Sequence, residues 1–339
     1  MKHKSRRFTV ALLFAVFVAG VLMLSVSPAG AADKRSLSAA HVMSERDPYH
    51  IGLSKFTERV AELTNGRYEF TLYPSGQLGG ERDMTEGVSM GTIDIALLTN
   101  AFCVNLAPEL GVLDFPYLFE SRPDAYKVLD SEIGTELFKN LERSNIIGLA
   151  FMENGFRSIN TRNALIVTPD QIKGVKLRTM ETPVHLAAFN AAGANATPVS
   201  WTEIYTALQQ GTVMGHENPL KAMYDSKTYE LCPYISMTEH FYSTVNLIIN
   251  KGVWESIPPE DQALFRQAAA EARDFQRQYC QDWELEVAKR MKDAGTTIAE
   301  NIDKAQWKKA MSPVYSDPKL SKQHEVMLKK IKDFLGYTD

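Results

Sequence analysis

Strand-like and helix-like segments alternate along most of this chain, and that order restricts the folds open to it. Apolar residues in the first predicted helix are spaced for one helical face, and Asn65-Gly66 ends that helix. Such alternation is typical of α/β domains with largely parallel sheets, whose ligands bind outside the carboxyl ends of the strands. The first strands are predicted at residues 37–42, 68–73 and 92–98, and the helices between them at residues 48–64 and 81–90.

The later part of the chain continues this alternation and adds one unusually long helix. Pro123 begins a predicted helix that runs to about residue 142, and Ser200 begins another through a capping box with Glu203 that ends at Gly211. From about residue 258 to 294 almost no residue breaks a helix, which predicts one long helix, or two with a kink, packed across both domains. Further strands are predicted at residues 146–151, 174–179 and 244–250, a short helix after Thr182-Pro183, and a charged helical segment up to residue 337.

The N-terminus has the pattern of a secretory signal peptide. A basic stretch with Lys2, Lys4 and Arg6 precedes an apolar run over residues 8–24, and Ala29-x-Ala31 fits a small-residue cleavage site. An N-terminal membrane anchor is the alternative, because the apolar run is close to the shortest length that spans a bilayer. We interpret residues 1–31 as a signal peptide, which predicts export to the periplasm.

Composition excludes some classes of partner. The 339 residues carry a formal net charge of -4, whereas nucleic-acid binding requires a basic surface. An anion site must therefore be built from a few local cations. Cys103, Cys232 and Cys280 are too few and too widely spaced for a disulfide framework; at most one pair could form, and we expect small buried apolar side chains.

The motifs of enzymes, metal sites and nucleotide sites are poorly matched. Gly87-Val88-Ser89-Met90-Gly91 has the spacing of a nucleophile elbow, but a helix precedes it and a strand follows, which reverses the order that a hydrolase requires. The seven histidines are scattered, and neither a P-loop nor a strand followed by G-x-G-x-x-G is present. We therefore expect no enzyme, metal or cofactor.

Two arginines lie where a sheet of this class binds ligands. Arg157 follows the predicted strand 146–151, and Arg178 ends the predicted strand 174–179. A guanidinium matches a carboxylate through two parallel hydrogen bonds, so this placement favours a site for an organic anion. For either arginine alone, a salt bridge at the surface is the competing interpretation.

The same segments resemble the extracytoplasmic solute-binding subunits of TRAP transporters, the DctP family. The resemblance extends over essentially the whole chain after the leader, and it depends on many short motifs in the family's order. These are Gly66-Arg67, residues 72–81 around Pro74-Ser75-Gly76-Gln77-Leu78-Gly79-Gly80-Glu81, Gly91-Thr92-Ile93-Asp94, residues 113–119, residues 173–178, residues 207–211 and Glu217-Asn218-Pro219. One departure is Met214-Gly215-His216, where the family often has Asp-Gly-Gln.

The resemblance implies a two-domain α/β fold of the periplasmic solute-binding type, with mixed sheets, crossing strands and a long domain-spanning helix. It places residues 32–155 with 243–283 in the first domain, and residues 156–242 with 284–339 in the second.

The resemblance also implies the binding residues. Arg178 would grip the ligand carboxylate, Arg157 and Asn218 would assist, and Trp201 would pack on the ligand body. Specificity contacts would lie near four residues of the first domain, and this carry-over is weaker because those positions vary with the ligand. They are His41, Glu81, Thr99 and Asn100.

The expected function is capture of a small organic anion in the periplasm by a monomer and its delivery to the TRAP membrane subunits. The ligand is left open among sugar acids, C4-dicarboxylates, 2-oxo acids and small sulfonates. A binding subunit for a sensor or for another class of transporter remains the alternative function.

Overall fold

A single mixed sheet organises residues 34–337, which a computed structural model describes. The strands lie in the order β2-β1-β3-β8-β4-β7-β5-β6, and β9 pairs with β8. The strands are β1 (Arg35–Ala40), β2 (Tyr68–Tyr73), β3 (Ile95–Thr99), β4 (Ile146–Thr161), β5 (Lys176–Thr179), β6 (Asn195–Pro198), β7 (Gly215–Asn218), β8 (Tyr234–Asn250) and β9 (Thr297–Ala299).

Two long antiparallel strands, β4 and β8, run through both halves of this sheet. Residues 146–157 of β4 pair with 241–250 of β8, next to β3, whereas residues 159–161 pair with 234–236, next to β7 and β9. Each long strand therefore serves the β2-β1-β3 half with one end and the β7-β5-β6 half with the other. These are the crossing strands of the expected fold.

The sheet is mixed, so the expectation of largely parallel sheets is wrong where the long strands run. The pairs β1–β3, β5–β7 and β5–β6 are parallel, but both long strands pair antiparallel with each other and with β3 or β7. The predicted strands 146–151 and 244–250 cover less than half of β4 and β8. Their remaining residues include Arg157 and His240, polar side chains that are buried here and therefore mask a strand pattern.

Fourteen α-helices connect and cover the strands in the part of the chain that the structure describes. They are α1 (Pro48–Leu63), α2 (Glu81–Met90), α3 (Asn100–Cys103), α4 (Arg122–Leu129), α5 (Glu132–Lys139), α6 (Pro183–Ala191), α7 (Ile204–Gln209), α8 (Leu220–Asp225), α9 (Thr228–Leu231), α10 (Lys251–Glu255), α11 (Pro259–Asp293), α12 (Lys304–Met311), α13 (Pro318–Ser321) and α14 (Glu325–Leu335).

The helix α11 is one continuous element of 35 residues, as one of the two sequence alternatives predicted. It packs against α1, which follows β1, and against α8, which follows β7, and it also contacts β4. The Gln276 side chain accepts a hydrogen bond from Glu153 N and donates one to Glu153 O, and Arg277 donates to Phe151 O. These bonds fasten the middle of the helix to a crossing strand.

Two helix predictions are wrong in detail. The helix expected from Pro123 to about residue 142 is two helices, α4 and α5, because Ser131 caps α5 by accepting a hydrogen bond from Ile133 N. The capping box at residues 200–203 is absent, since the Ser200 hydroxyl bonds Thr202 Oγ1 at 3.1 Å. A 3₁₀ turn over Trp201–Glu203 leads into α7 instead.

The remaining expectations concern the N-terminal leader, the domain boundaries and the cysteines. The signal peptide at residues 1–31 lies outside the described residues, and the domain boundaries remain a prediction. Within residues 34–337 no helix combines the length and the apolar character needed to cross a membrane. All three cysteines are buried free thiols, as their spacing suggested.

The double hydrogen bond of Gln276 makes α11 sensitive to one substitution. Gln276→Met keeps the side-chain volume but leaves the buried N–H and C=O of Glu153 without partners, at about 1–3 kcal/mol for each group. We expect the free energy of unfolding in urea to fall by about 2–5 kcal/mol. Gln278→Met on the exposed face of the same helix is the control; an equal loss there would contradict the assignment.

Candidate ligand-binding site

A cavity lies at the carboxyl ends of several strands, where ligands bind in α/β sheets. Val42 and Met43 follow β1, Thr99 ends β3, Asn218 ends β7 and Met180 follows β5. The rest of the lining comes from Asn154 and Arg157 of β4, Tyr49 and Glu81 in the first turns of α1 and α2, Arg178 of β5, Trp201, and Ala222 of α8. Both halves of the sheet therefore contribute to one cavity.

Arg178 is a buried cation to which no acid of the described residues is bonded. Its side chain is 2% exposed, and its Nε donates a hydrogen bond of 2.7 Å to Val199 O. The two terminal nitrogens form no hydrogen bond or ion pair with the described residues, and the guanidinium carbon lies 6.0 Å from the Trp201 ring centroid. Burial lowers the pKa of Arg178 to about 10, so the group remains positively charged at neutral pH. The arrangement presents an unpaired charge to the cavity.

Arg157, in contrast, is already paired. Its Nε donates to Glu217 Oε2 at 2.5 Å, and its Nη2 donates to Glu217 Oε1 at 2.8 Å and to Glu217 O at 2.7 Å. His240 Nε2 lies 3.2 Å from the same carboxylate. The Arg157 charge and the two histidines beside Glu217, His185 and His240, hold the pKa of Glu217 well below its ordinary value against the opposing effect of burial. Only Nη1 of Arg157 has no hydrogen bond with the described residues.

Glu81 and Thr99 form an acidic and hydroxyl-rich side of the cavity. Glu81 Oε1 accepts hydrogen bonds from Thr99 N at 2.7 Å and from Thr99 Oγ1 at 2.6 Å, and the Tyr49 hydroxyl lies 3.2 Å from Thr99 Oγ1. Burial raises the pKa of Glu81, while the bonds from Thr99 and the charge of Arg178 oppose that rise. Glu81 Oε2 makes no hydrogen bond with the described residues and offers an acceptor.

Asn218 and Trp201 extend the site around Arg178. Asn218 is 4% exposed, and its Nδ2 is 3.5 Å from Nδ1 of His216, whose Nε2 is 2.9 Å from the Thr228 hydroxyl. His216, one of the two residues that depart from the family pattern, thus lies beside the predicted acid contact. Burial lowers its pKa to about 3, so its ring is neutral and adds no charge to the site.

Two predicted site residues, His41 and Asn100, do not line the cavity. The buried His41 ring directs Nε2 toward His50 Nδ1 at 3.0 Å, and burial lowers the pKa of His41 to about 3. The Asn100 amide donates to Leu110 O and Asp114 Oδ1, and its oxygen accepts from Asn246. Both side chains hold neighbouring segments together, so specificity contacts at these positions remain a prediction without support from the geometry.

The sequence did not indicate Tyr49, Asn154 or the carboxylate that pairs with Arg157. Tyr49 follows Pro48 in the first turn of α1, shortly after the end of β1, and that position was the signal that could have found it. Glu217 is adjacent to Asn218 but 60 residues from Arg157, so only the pairing of β4 with β7 brings the two charges together.

The other motif with possible catalytic chemistry, the apparent nucleophile elbow, has a structural role. Ser89, in the apparent nucleophile elbow, lies in the last turn of α2 and donates a hydrogen bond of 2.7 Å to Ser144 O. Within residues 34–337 no three histidine, cysteine or acidic side chains are grouped so that they could hold a metal ion.

Comparison with known proteins gives one consistent family. The model of bacterial extracellular solute-binding proteins, family 7 (DctP), matches residues 39–321. A curated relative, the 2,3-diketo-L-gulonate-binding periplasmic protein YiaO of Escherichia coli, is 33% identical over 298 residues, which make up 88% of this chain and 90% of that protein.

Solved structures with a similar fold are also solute-binding proteins. A TRAP periplasmic solute-binding protein from Polaromonas sp. JS666 bound to D-erythronate has a TM-score of 0.86 at 33% identity, covering 90% of this chain and 100% of that one. The sugar acid binding protein DctPAm from Advenella mimigardefordensis, in complex with galactonate, has a TM-score of 0.85 at 30% identity, covering 89% and 99%. The predicted fold class is confirmed, and these proteins are binding proteins of transporters, not enzymes.

The two arginines should contribute oppositely to the stability of the ligand-free protein. Glu217→Gln leaves Arg157 buried and unpaired, and we expect the free energy of unfolding at pH 7 to fall by about 3–5 kcal/mol. Arg178→Met removes a charge that has no acid partner, so we expect a loss below about 1 kcal/mol, or a gain. Urea denaturation measures both; a large loss for Arg178→Met would show that a protein carboxylate neutralises this arginine.

Proposed function

The chain belongs to the bacterial extracellular solute-binding proteins of family 7, and we propose that it binds a small organic acid in this cavity for delivery to TRAP membrane subunits. The observation that carries the proposal is the Arg178 guanidinium, buried with both terminal nitrogens free of acid partners among the described residues. A buried cation of this kind favours any anion that reaches it, because the anion removes an uncompensated charge.

The contacts around Arg178 are sufficient for useful affinity. Two parallel hydrogen bonds from its terminal nitrogens would hold one carboxylate, with Asn218 and Nη1 of Arg157 completing its shell. Each charge-assisted bond contributes about 1.5–3 kcal/mol net, and three of them with packing on Trp201 support binding near micromolar, about -8 kcal/mol. Arg157 is an auxiliary donor in this arrangement, since Glu217 engages its other nitrogens.

The acid that suits the cavity carries one carboxylate and several hydroxyl groups. Glu81 adds an acidic group and no cation to this side of the cavity, which disfavours a second carboxylate, while its free oxygen, Thr99 and the Tyr49 hydroxyl suit the hydrogen bonds of ligand hydroxyls. The related structures that hold D-erythronate and galactonate support this class, because each ligand is a hydroxylated monocarboxylate. We therefore propose a sugar acid and not a dicarboxylate.

The location and the partners follow from the same proposal. Residues 1–31 would direct export, after which the protein would act in the periplasm as a monomer. Closure of the two sheet halves around the ligand would exclude water and create the shape that the membrane subunits recognise. A thermal-shift screen over aldonic acids, dicarboxylates, 2-oxo acids and sulfonates tests the ligand class, since a bound ligand raises the melting temperature by mass action.

Replacing the anchor should weaken binding without unfolding the protein. Arg178→Lys retains the charge but loses one of the two parallel hydrogen bonds, so we expect the dissociation constant for the acid found in the screen to rise roughly 10- to 100-fold. Calorimetry measures the change, with Arg143→Lys in an exposed ion pair as the control. An unchanged affinity would remove Arg178 from the site.

Glu81 should control the choice between acids. Glu81→Gln retains a hydrogen-bond acceptor for Thr99 but removes the acidic group that disfavours a second carboxylate. We expect weaker binding of the sugar acid and a gain of roughly tenfold or more in relative affinity for C4-dicarboxylates. Glu86→Gln, exposed on the same helix, is the control. The same preference in both variants would count against the role of Glu81.

A further inference from the structure

A second buried ion pair connects the two sides of the cavity. Lys221 Nζ lies 3.3 Å from both carboxylate oxygens of Asp47, and both side chains are 0% exposed. Asp47 precedes α1, where it accepts a hydrogen bond from Tyr49 N, and it belongs to the half of the sheet that holds β1. Lys221 lies in α8 directly after β7, in the other half.

Opening of the cavity would separate this pair. Tyr49 and Ala222 both line the cavity; Tyr49 is two residues after Asp47, and Ala222 directly follows Lys221. The ammonium group also lies 4.6 Å from the Tyr49 ring centroid, so α8 rests on the first turn of α1. Any motion that parts Tyr49 from Ala222 must therefore lengthen the distance between the two charges and admit water to them.

A second carboxyl group lies one helical turn from this lysine. Asp225 lies one helical turn after Lys221, and its Oδ2 accepts a hydrogen bond of 3.3 Å from Trp283 Nε1 of α11. Burial and the adjacent carboxyl of Asp47 raise the pKa of Asp225 to about 7, although Trp283 and Lys221 oppose the rise. Tyr279 of α11 also faces the two acids, and its own pKa is raised by burial and by their charges.

We propose that Asp47 and Lys221 form a latch that fastens the closed cavity, with Asp225 placed beside the pair. The latch deepens the proposed function, because it would set the rate at which the bound acid is released. Its geometry stands independently of the ligand, since all of these side chains belong to the protein.

The direction of the pH effect follows from the two states. In the closed form Asp225 lies beside Asp47, whereas in the open form both carboxyls meet water and the Asp225 pKa returns toward about 3.9. The closed form therefore binds the proton more tightly, and closure is favoured as the pH falls from 8 toward 5. For a closed-state pKa of about 7, the dissociation constant should be roughly tenfold lower at pH 6 than at pH 8.

A different ion pair bridges the rim and provides a matched control. Arg82 of α2 and Glu181, which follows β5, lie 3.1 Å apart with side chains 52% and 26% exposed. Water screens a pair of this kind in both states, so breaking it should change little. Removing one member of the buried pair, in contrast, leaves the other charge buried and unpaired in the closed form.

Stopped-flow dissociation of the acid found in the screen tests the latch. Lys221→Met leaves Asp47 buried and unpaired only in the closed form, so we expect release to accelerate roughly tenfold or more, and Arg82→Met to change it less than about twofold. The double variant Asp47→Asn with Lys221→Met leaves no unpaired buried charge, so its release rate should return most of the way to that of the natural protein. Equal rates for Lys221→Met and the natural protein would overturn the proposal.

The proton is tested by comparing pH 6 with pH 8. Burial also raises the pKa of Glu284, near Arg122 and Glu153, to about 7, so the contribution of Asp225 is the difference between the natural protein and Asp225→Asn. We expect Asp225→Asn to lose most of the tenfold effect. A pH dependence identical to that of the natural protein would remove the proton from the latch.

A distance measurement separates failure of the latch from failure of the proposed function. Spin labels at Glu86→Cys and Thr206→Cys, both exposed, report the separation of α2 and α7 across the cavity without a known ligand. With Lys221→Met added, the ligand-free protein should shift toward longer distances. An unchanged distribution would refute the latch even if the acid binds, whereas a shift without any binding acid would refute only the proposed function.

Discussion

A guanidinium removed from water, with no carboxylate of the described residues bonded to it, is the constraint around which this molecule is organised. Arg178 is 2% exposed and bonds one backbone oxygen among residues 34–337, whereas Glu217 engages two of the three nitrogens of Arg157. The two arginines therefore differ in role: Arg157 is held mainly by Glu217, whereas Arg178 is available to bind an anion from outside the protein. The fold must stabilise the unpaired charge through the rest of its core, since the charge itself disfavours burial.

That placement depends on the crossing strands. Because β4 and β8 each run through both halves of the sheet, residues of either half reach the same cavity. β4 supplies Asn154 and Arg157 just before Ser158, where it begins to pair with β7 as well as with β8. The bulges of β4 near Gly155 and Arg157 coincide with this change. The cavity therefore lies where bulges interrupt the regular hydrogen bonding between the strands, which allows buried polar side chains to face inward.

The sequence predicted local features well and distant pairings poorly. Residues 68–73 and 81–90 were predicted with their observed bounds, because alternation and capping are local signals. The full lengths of β4 and β8 were missed, since residues such as Arg157 and His240 read as polar loop until Glu217 is seen to pair with them. Six of the eight predicted site residues line the cavity; His41 and Asn100 do not, because neighbours that no sequence pattern reveals satisfy them.

The position of α11 late in the chain also bears on the order of folding. Asn100 bonds Asn246 across 146 residues, and Arg59 of α1 bonds Glu271 of α11 across 212 residues. The half of the sheet that holds β1 therefore lacks its neighbouring strand and its covering helix until residues 234–293 have been synthesised. Contacts of such long range slow folding, so this half of the molecule can complete its core only late in the folding of the chain.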